Sequence, residues 1–372
     1  LEKNYKMKIT LKRTEEQLEL IRAMASNNRE IAYEAQAALG SFMGPVLAEV
    51  INNAPTVSNL FTSMSFDPDD NPSIPLDLYY DITAEDYITV YSQSMPGGLP
   101  TNHVAPTASE LKFTTYTLDS AVSFDKRYAA KSRLDAVGKS FTRIAQEVLL
   151  KQEKTSSNLM LGTLADTTSA GTNHVIQSTI DGNFILADLN ALITKSKRVN
   201  ESWSGGTPAN KRSGLTDLLV SPEVIEDIRG MAYNPINSKA ADGSTPSAGD
   251  SAWVTAPDDI RRGLFNDSGE MSNFFGVNLM EVYQLGPNQQ FTNIFDGLVG
   301  GLSAGKNDLV IGLDLSRDSM FRATVLDSES GSEFSLVADD QYSVRQRKIG
   351  YYGSVEEGRI ILDKRAIFGV EV

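Results

Sequence analysis

The chain has 372 residues, with 34 basic and 48 acidic side chains, a net charge of −14, no cysteine and two histidines, His103 and His174. These counts exclude a disulfide framework, a Cys-ligated zinc site and a thiolate nucleophile, and they leave little for a His-based triad or a His-rich metal centre. The acidic balance weighs against a nucleic-acid grip, no run of about 18 apolar residues offers a membrane span, the length suits two or three domains, and the 41% apolar content is that of an ordinary globular chain.

The first fifth reads as helix. Thr14 followed by Glu15, Glu16 and Gln17 forms a capping box, with acids in the positive first turn. Leu18, Ile21 and Met24 recur at helical spacing, and Ile31, Ala35 and Leu39 continue it. Gly40 is the expected stop, and Pro45 the expected first residue of a third short helix. An Ala-rich arm of this kind is marginal alone and gains stability by lying on something else.

From Phe61 the text turns to strand. Residues 76–91 and 110–122 are two strands, and residues 94–103 form a Gly/Pro tip between them, so an extended hairpin is expected. A long helix follows over 128–161. Leu134, Val137, Phe141, Ile144, Val148 and Leu149 step by three and four, and Gly162 is its expected stop. Residues 163–179 read as a Thr/Ser/Gly loop, and residues 186–199 as an amphipathic helix. Residues 217–220 form a short buried strand, and Ser221-Pro222-Glu223 opens the next helix. Residues 234–259 are expected as a long surface loop. Strands are expected over 277–283, 309–313, 320–326, 333–337, 342–349 and 359–361.

Chemical motifs are few. Gly300-Gly301-Leu302-Ser303-Ala304-Gly305-Lys306-Asn307 is one residue from a P-loop, which makes a nucleotide-hydrolysing protein the distant alternative. Asn307 replaces the hydroxyl that holds magnesium, and the segment opens a strand where a P-loop opens a helix. Asp67, Asp69 and Asn71 start like a calcium loop, but Pro72 and Leu78 occupy the positions that need Gly and Glu. His103 and His174 read as solvated loop residues. Arg345, Arg347 and Lys348 form a basic run in a strand-like segment; alternation puts Arg345 and Arg347 on one face, where a phosphate or nucleic-acid contact is one reading and pairing with carboxylates of a neighbouring strand or subunit, favoured by the net charge, is the other.

The order of elements resembles the tailed-bacteriophage major capsid protein of the Hong Kong 97 type, a fold shared by encapsulins. Several segments carry the likeness: Thr117 to Asp125 before the long helix, Leu218-Leu219-Val220-Ser221-Pro222-Glu223, Phe275-Gly276-Val277, Asp308-Leu309-Val310-Ile311-Gly312, Arg345 to Gly350, and Asp363-Lys364-Arg365-Ala366-Ile367. The resemblance implies an α+β chain with an N-terminal arm (1–57), an extended E-loop (58–116), a P-domain with its spine helix (117–182) and an A-domain (183–310). P-domain strands (311–358) and a return segment to the A-domain (359–372) complete it.

It implies no enzyme and no cofactor. The expected product is an icosahedral shell of hexamers and pentamers around double-stranded DNA, assembled in the host cytoplasm, located in the virion and not bound to a membrane. Portal, scaffolding and decoration proteins are the expected partners, and an encapsulin-like compartment is the alternative. Inter-subunit contacts are expected at the loop tip, Met95, Pro96, Gly97, Gly98, Leu99 and Pro100, and at Arg345, Arg347 and Lys348. Excess acid would suit a wall that faces DNA without gripping it. In this family a leucine start would follow from proteolytic trimming, with a shortened chain or a start at Met7 as alternatives. No lysine lies between Asp77 and Leu111, so the lysine–asparagine cross-link of some family members is not expected.

Overall fold

The computed structural model describes residues 14–54, 56–67, 73–75, 110–112, 114–131, 134–169, 173–200, 214–230, 273–326, 331–339 and 347–372. In chain order the elements are α1 (Glu15–Met24), α2 (Arg29–Asn52), β1 (Thr62–Phe66), β2 (Ser73–Pro75), β3 (Glu110–Lys112), β4 (Tyr116–Asp125), α3 (Lys126–Ala130) and α4 (Leu134–Ser169). Then come β5 (Val175–Gln177), α5 (Leu186–Asn200), β6 (Asp217–Val220), α6 (Pro222–Gly230), β7 (Asn273–Phe274), β8 (Val277–Glu281) and α7 (Gln290–Val299). The chain closes with β9 (Leu309–Leu313), β10 (Met320–Val325), β11 (Ser335–Asp339), β12 (Lys348–Ile361) and β13 (Ile367–Glu371). These elements make an α+β chain with two compact units. One is drawn from residues 1–78, 107–157 and 320–360, the other from 79–106, 158–319 and 361–372.

The first unit is a five-stranded sheet in the order β1-β10-β12-β11, with β4 also paired to β12. β12 organises it. Ile349, Tyr351, Gly353, Val355 and Glu357 alternate along one buried face. Tyr351 is fully buried; its ring stacks on Phe124 at 6.3 Å and meets Phe141 edge-on at 5.2 Å. Ile21, Met24, Leu39, Met43 and Leu47 of the N-terminal helices join this core, as do Phe141, Ile144 and Val148 of α4. The arm is therefore part of a hydrophobic core within its own unit. β2 pairs antiparallel with β3, Ser73 opposite Lys112 and Pro75 opposite Glu110.

The second unit is a six-stranded mixed sheet, β5-β13-β9-β6-β8-β7. β9 and β13 are buried at every residue; β9 is an apolar run without alternation, and β13 is apolar up to its last residue, Glu371, as expected where both faces of a sheet are covered. Leu189 and Leu192 of α5 pack with Val224, Ile225 and Ile228 of α6 against Phe368 and Val370.

Several expectations need correction. Gly40 does not stop a helix and Pro45 does not start one: α2 runs unbroken through both for 24 residues. A Cβ on Gly40 would sit 2.9 Å from the Leu336 carbonyl oxygen, and one on Gly44 3.2 Å from that of Phe334. Both glycines let the helix approach the chain around β11 closely. Pro45 and Ser41 lie on the exposed side, where water can satisfy the carbonyl that loses its bond. The long helix is broken after Ala130, resumes at Leu134 and continues through Gly162 to Ser169. Burial of Met160, Leu161 and Leu164 offsets the glycine's cost. Thr163, Thr167 and Thr168 donate their hydroxyls to the Leu159, Leu164 and Ala165 carbonyls, so the expected loop begins as helix. Thr14 caps α1 without a side-chain bond. The expected strand over 359–361 is the end of the single long strand β12.

Gly40 and Gly162 make opposite predictions. No atom lies within 4 Å of a Cβ on Gly162, so Gly162→Ala gains about 1 kcal/mol from helix propensity. Gly40→Ala loses about 1–3 kcal/mol to overpacking. Urea unfolding midpoints shifting in opposite directions would bear this out; a shift of one sign in both would refute it.

Candidate functional site

Among the described residues of the first unit, a cluster of ionised groups gathers around Glu357. Both carboxylate oxygens are enclosed. Oε2 accepts from Arg322 Nε at 3.1 Å, Gln152 Nε2 at 3.0 Å and Arg359 Nη2 at 3.2 Å. Oε1 accepts from the Tyr116 hydroxyl at 2.8 Å. Arg322 also donates to Asn52 Oδ1 at 2.9 Å, and Arg359 Nη2 to Ser58 Oγ at 2.7 Å. The Arg359 guanidinium lies 5.3 Å from the Phe61 ring centroid, within cation–π range. Glu153 accepts from the backbone N–H of Val57 at 3.3 Å and of Ser58 at 3.1 Å.

The electrostatics follow from these contacts. Burial alone would raise the Glu357 carboxyl, but Arg359 and Arg322, with the bonds from Tyr116 and Arg359, hold it below the ordinary range. Burial, reinforced by the Glu357 charge and the bond to it, pushes the Tyr116 hydroxyl up to about 12. Burial raises Glu153 above its ordinary value, opposed by the two backbone bonds and by Arg359. The charged groups of the cluster are held by one another and by neutral donors, with only the Gln152 Oε1 left without a hydrogen bond, an arrangement that cross-braces the unit and holds no nucleophile activated by a base.

In the second unit, His174 is buried, with Nδ1 3.1 Å from the Ile367 carbonyl and its ring 5.2 Å from that of Phe368. The expectation of a solvated loop histidine is thus overturned, and desolvation lowers its pKa. The side chains of His174, Lys195, Arg198 and Arg365 line a shallow groove beside α5. Ser221 bonds Asp308 and accepts from the Val224 N–H at 3.2 Å, capping α6.

The P-loop-like segment is a turn. Gly300 ends α7 in the left-handed conformation at φ 79°, and the next regular element is β9. Lys306 Nζ donates to the Ser178 carbonyl at 2.9 Å and Ser178 Oγ at 2.8 Å, and pairs with Asp181 at 2.7 Å. Its charge is spent inside the fold and does not reach for a phosphate.

The expected contact residues fare differently. Met95, Pro96, Gly97, Gly98, Leu99, Pro100 and Arg345 lie outside the described residues. Arg347 precedes β12 in a left-handed turn, φ 52°, and its carbonyl accepts from Lys126 N at 3.0 Å. It therefore does not continue the strand alternation expected of it. Lys348 opens β12, opposite Asp125 of β4, with its side chain exposed. His103 and residues 234–259 are also outside the described residues, and of the calcium-like run only Asp67 is inside.

Exposed apolar side chains mark other surfaces. In the first unit Phe42 of α2 is 58% exposed, and Val337 of β11, 52% exposed, stands opposite Tyr352 of β12 on the outer sheet face. In the second unit Tyr283 is 72% exposed. Among the described residues no group of three His, Cys, Asp or Glu side chains could hold a metal ion, and no helix is long and apolar enough to cross a membrane.

The Glu357 cluster was missed by motif reading, although a signal existed: the period-2 burial of 349, 351, 353 and 355 continues onto 357. Glu357→Gln should cost about 3–5 kcal/mol, because it leaves buried guanidinium groups short of a counter-charge. The stabilisation from Glu357 is complete above its unfolded value of about 4.3 and is lost as pH falls through the lower folded value. Glu153 has the opposite sign: its raised folded value makes stability fall as pH rises through the interval above about 4.3. Glu153→Gln should therefore leave stability at neutral pH unchanged or raised. Chemical denaturation of both variants between about pH 3 and 7 reads the two signs; equal losses at neutral pH would contradict the assignment.

No protein-family model matches the chain, and no curated protein matches it. Solved structures do. The capsid of an empty GTA particle is 12% identical over 85% of this chain and 89% of its own, with a TM-score of 0.49. The structure of Microbacterium phage Oxtober96 is 10% identical over 86% of this chain and 91% of its own, at 0.47. The SrpI encapsulin complex of Synechococcus elongatus PCC 7942 is 14% identical over 71% of this chain and 76% of its own, at 0.40.

Proposed function

We propose that the chain is the repeating subunit of a tailed-bacteriophage capsid of the Hong Kong 97 type, which acts by assembly and not by catalysis. The observation that carries the reading is the short ladder between β2 and β3. β2 ends at Pro75 and β3 begins at Glu110, its antiparallel partner. The ladder stands at the place in the element order where this family has the base of its E-loop. A two-stranded hairpin is marginal alone and is completed by lying on another copy.

Three further features support it. A 36-residue helix follows the ladder in the chain. A mixed sheet with packed helices comes next in the chain, and β10, β11 and β12 then return to the first unit. Phe42, Val337 and Tyr352 offer apolar side chains that lateral contacts would cover. In this reading residues 1–57 are the arm, 58–116 the E-loop region, 117–182 and 311–358 the P-domain, 183–310 the A-domain and 359–372 its return segment. Hexamers and pentamers close around double-stranded DNA, with portal, scaffolding and decoration proteins as partners, and particles form in the host cytoplasm. The tip residues Met95 to Pro100 touch a neighbouring subunit, and Arg345, Arg347 and Lys348 meet carboxylates across an interface.

Negative-stain microscopy and sedimentation velocity of the purified chain test this. Closed shells or six-fold rings are expected, and monodisperse monomers at all concentrations would refute it. Leu99→Asp should raise the concentration needed for assembly by at least about tenfold, ~1.4 kcal/mol per contact, without lowering the melting temperature. Denaturing gels of particles should show single chains, since no lysine lies between Asp77 and Leu111 to cross-link.

A further inference from the structure

The solvent face of α4 carries a pattern that the rest of the chain does not prepare for. Lys139, Arg143, Lys151 and Lys154 are all exposed on it. At 100° per residue they fall within one third of the helix circumference, along about 22 Å of axis. The opposite face, with Phe141, Ile144, Val148 and Leu149, is buried. Glu147 stands within the stripe, yet it makes no ion pair with the cations three or four positions away, and no described carboxylate lies within ion-pair distance of any of the four. The stripe thus holds three net positive charges, on a protein whose net charge is −14.

We infer that this stripe binds the phosphodiester backbone of nucleic acid, without reading sequence. A row of unpaired cations along a rigid helix matches a line of phosphates, and the side chains are long enough to adapt to it. An acidic protein helix is the competing occupant. It would need an apolar seam repeating every three to four residues, whereas Leu150, 62% exposed, is the one large apolar side chain on this face. The inference deepens the shell reading, since it names the surface that meets an enclosed polyanion. It also refines the expectation of a uniformly repelling acidic wall: the net charge keeps adhesion weak while a local stripe organises the contact.

Fluorescence anisotropy tests it, using the full chain and a labelled duplex of about 30 base pairs of arbitrary sequence in ~50 mM salt. The parent should bind, and its affinity should fall roughly hundredfold on going to about 200 mM salt if all four cations are engaged. The combined variant Lys139→Gln, Arg143→Gln, Lys151→Gln and Lys154→Gln should bind at least about tenfold more weakly and with a flatter salt dependence, while Glu147→Lys binds more tightly. Neutralising Lys131 and Lys197 instead should change affinity less than about twofold. Circular dichroism melts establish that each variant is folded. The inference is overturned if the parent does not bind, if the four-fold variant matches it, or if polyglutamate displaces the duplex at equal charge, which would assign the stripe to an acidic protein. Sedimentation of the same samples reads assembly separately. Particles without stripe-dependent binding sink this inference alone; stripe-dependent binding without particles sinks the shell reading alone.

Discussion

A buried carboxylate between two guanidinium groups is the constraint on which the first unit depends. Glu357 is fully buried, and its partners come from chain positions as distant as Tyr116, Gln152 and Arg322. Through Arg322 and Arg359 the network reaches Asn52 and Ser58. An isolated carboxylate could not be buried at all, because desolvation would neutralise it. Each partner must therefore be in place before any of them is stable, which makes the meeting of β4, β10, β12, α4 and the segment after α2 an all-or-none event. The cluster also fixes register. Moving β12 by one residue would turn Glu357 out of the core and bring Glu356 or Gly358 to Arg322, Gln152 and Tyr116. The ion cluster contributes less to net stability than to uniqueness, as the large desolvation cost of buried ion pairs leads one to expect.

Polar groups in the second unit follow the same logic on a smaller scale. Lys306, Ser221, Asp308 and His174 are reactive types in principle, yet each is held by neighbours that satisfy it. Lys306 braces the turn at Ser178, and Ser221 closes the first turn of α6. A chain with no thiols and few imidazoles uses its remaining polar side chains as joints.

The sequence made most elements visible and hid the reasons for their ends. Apolar steps of three and four located α5 and the middle of α4; continuous apolar runs located β6 and β9. Period-2 spacing around Tyr351 belongs to the same class of signal. Gly40 and Gly162 misled because local propensity treats every helix glycine as a stop. One is needed for a carbonyl more than 290 positions away, and the other is carried along by burial on both sides of it. His174 was misjudged for a similar reason, since its partner lies on β13 and no spacing rule connects them. The Glu357 cluster is an intermediate case. Its burial was legible from alternation, but its partner Arg322 was not, because β10 and β12 are adjacent in space and separated in sequence.

The ladder between β2 and β3 has a consequence for how such a chain can change. Once both ends of an excursion are pinned, lengthening it costs little, about 0.6 kcal/mol of closure entropy for each doubling. Residues can be added or lost beyond Pro75 while the core around Tyr351 and Glu357 keeps the same contacts. Reach and stability are thereby inherited separately. Selection can change the length of that segment by insertion and deletion alone, without solving the folding problem again.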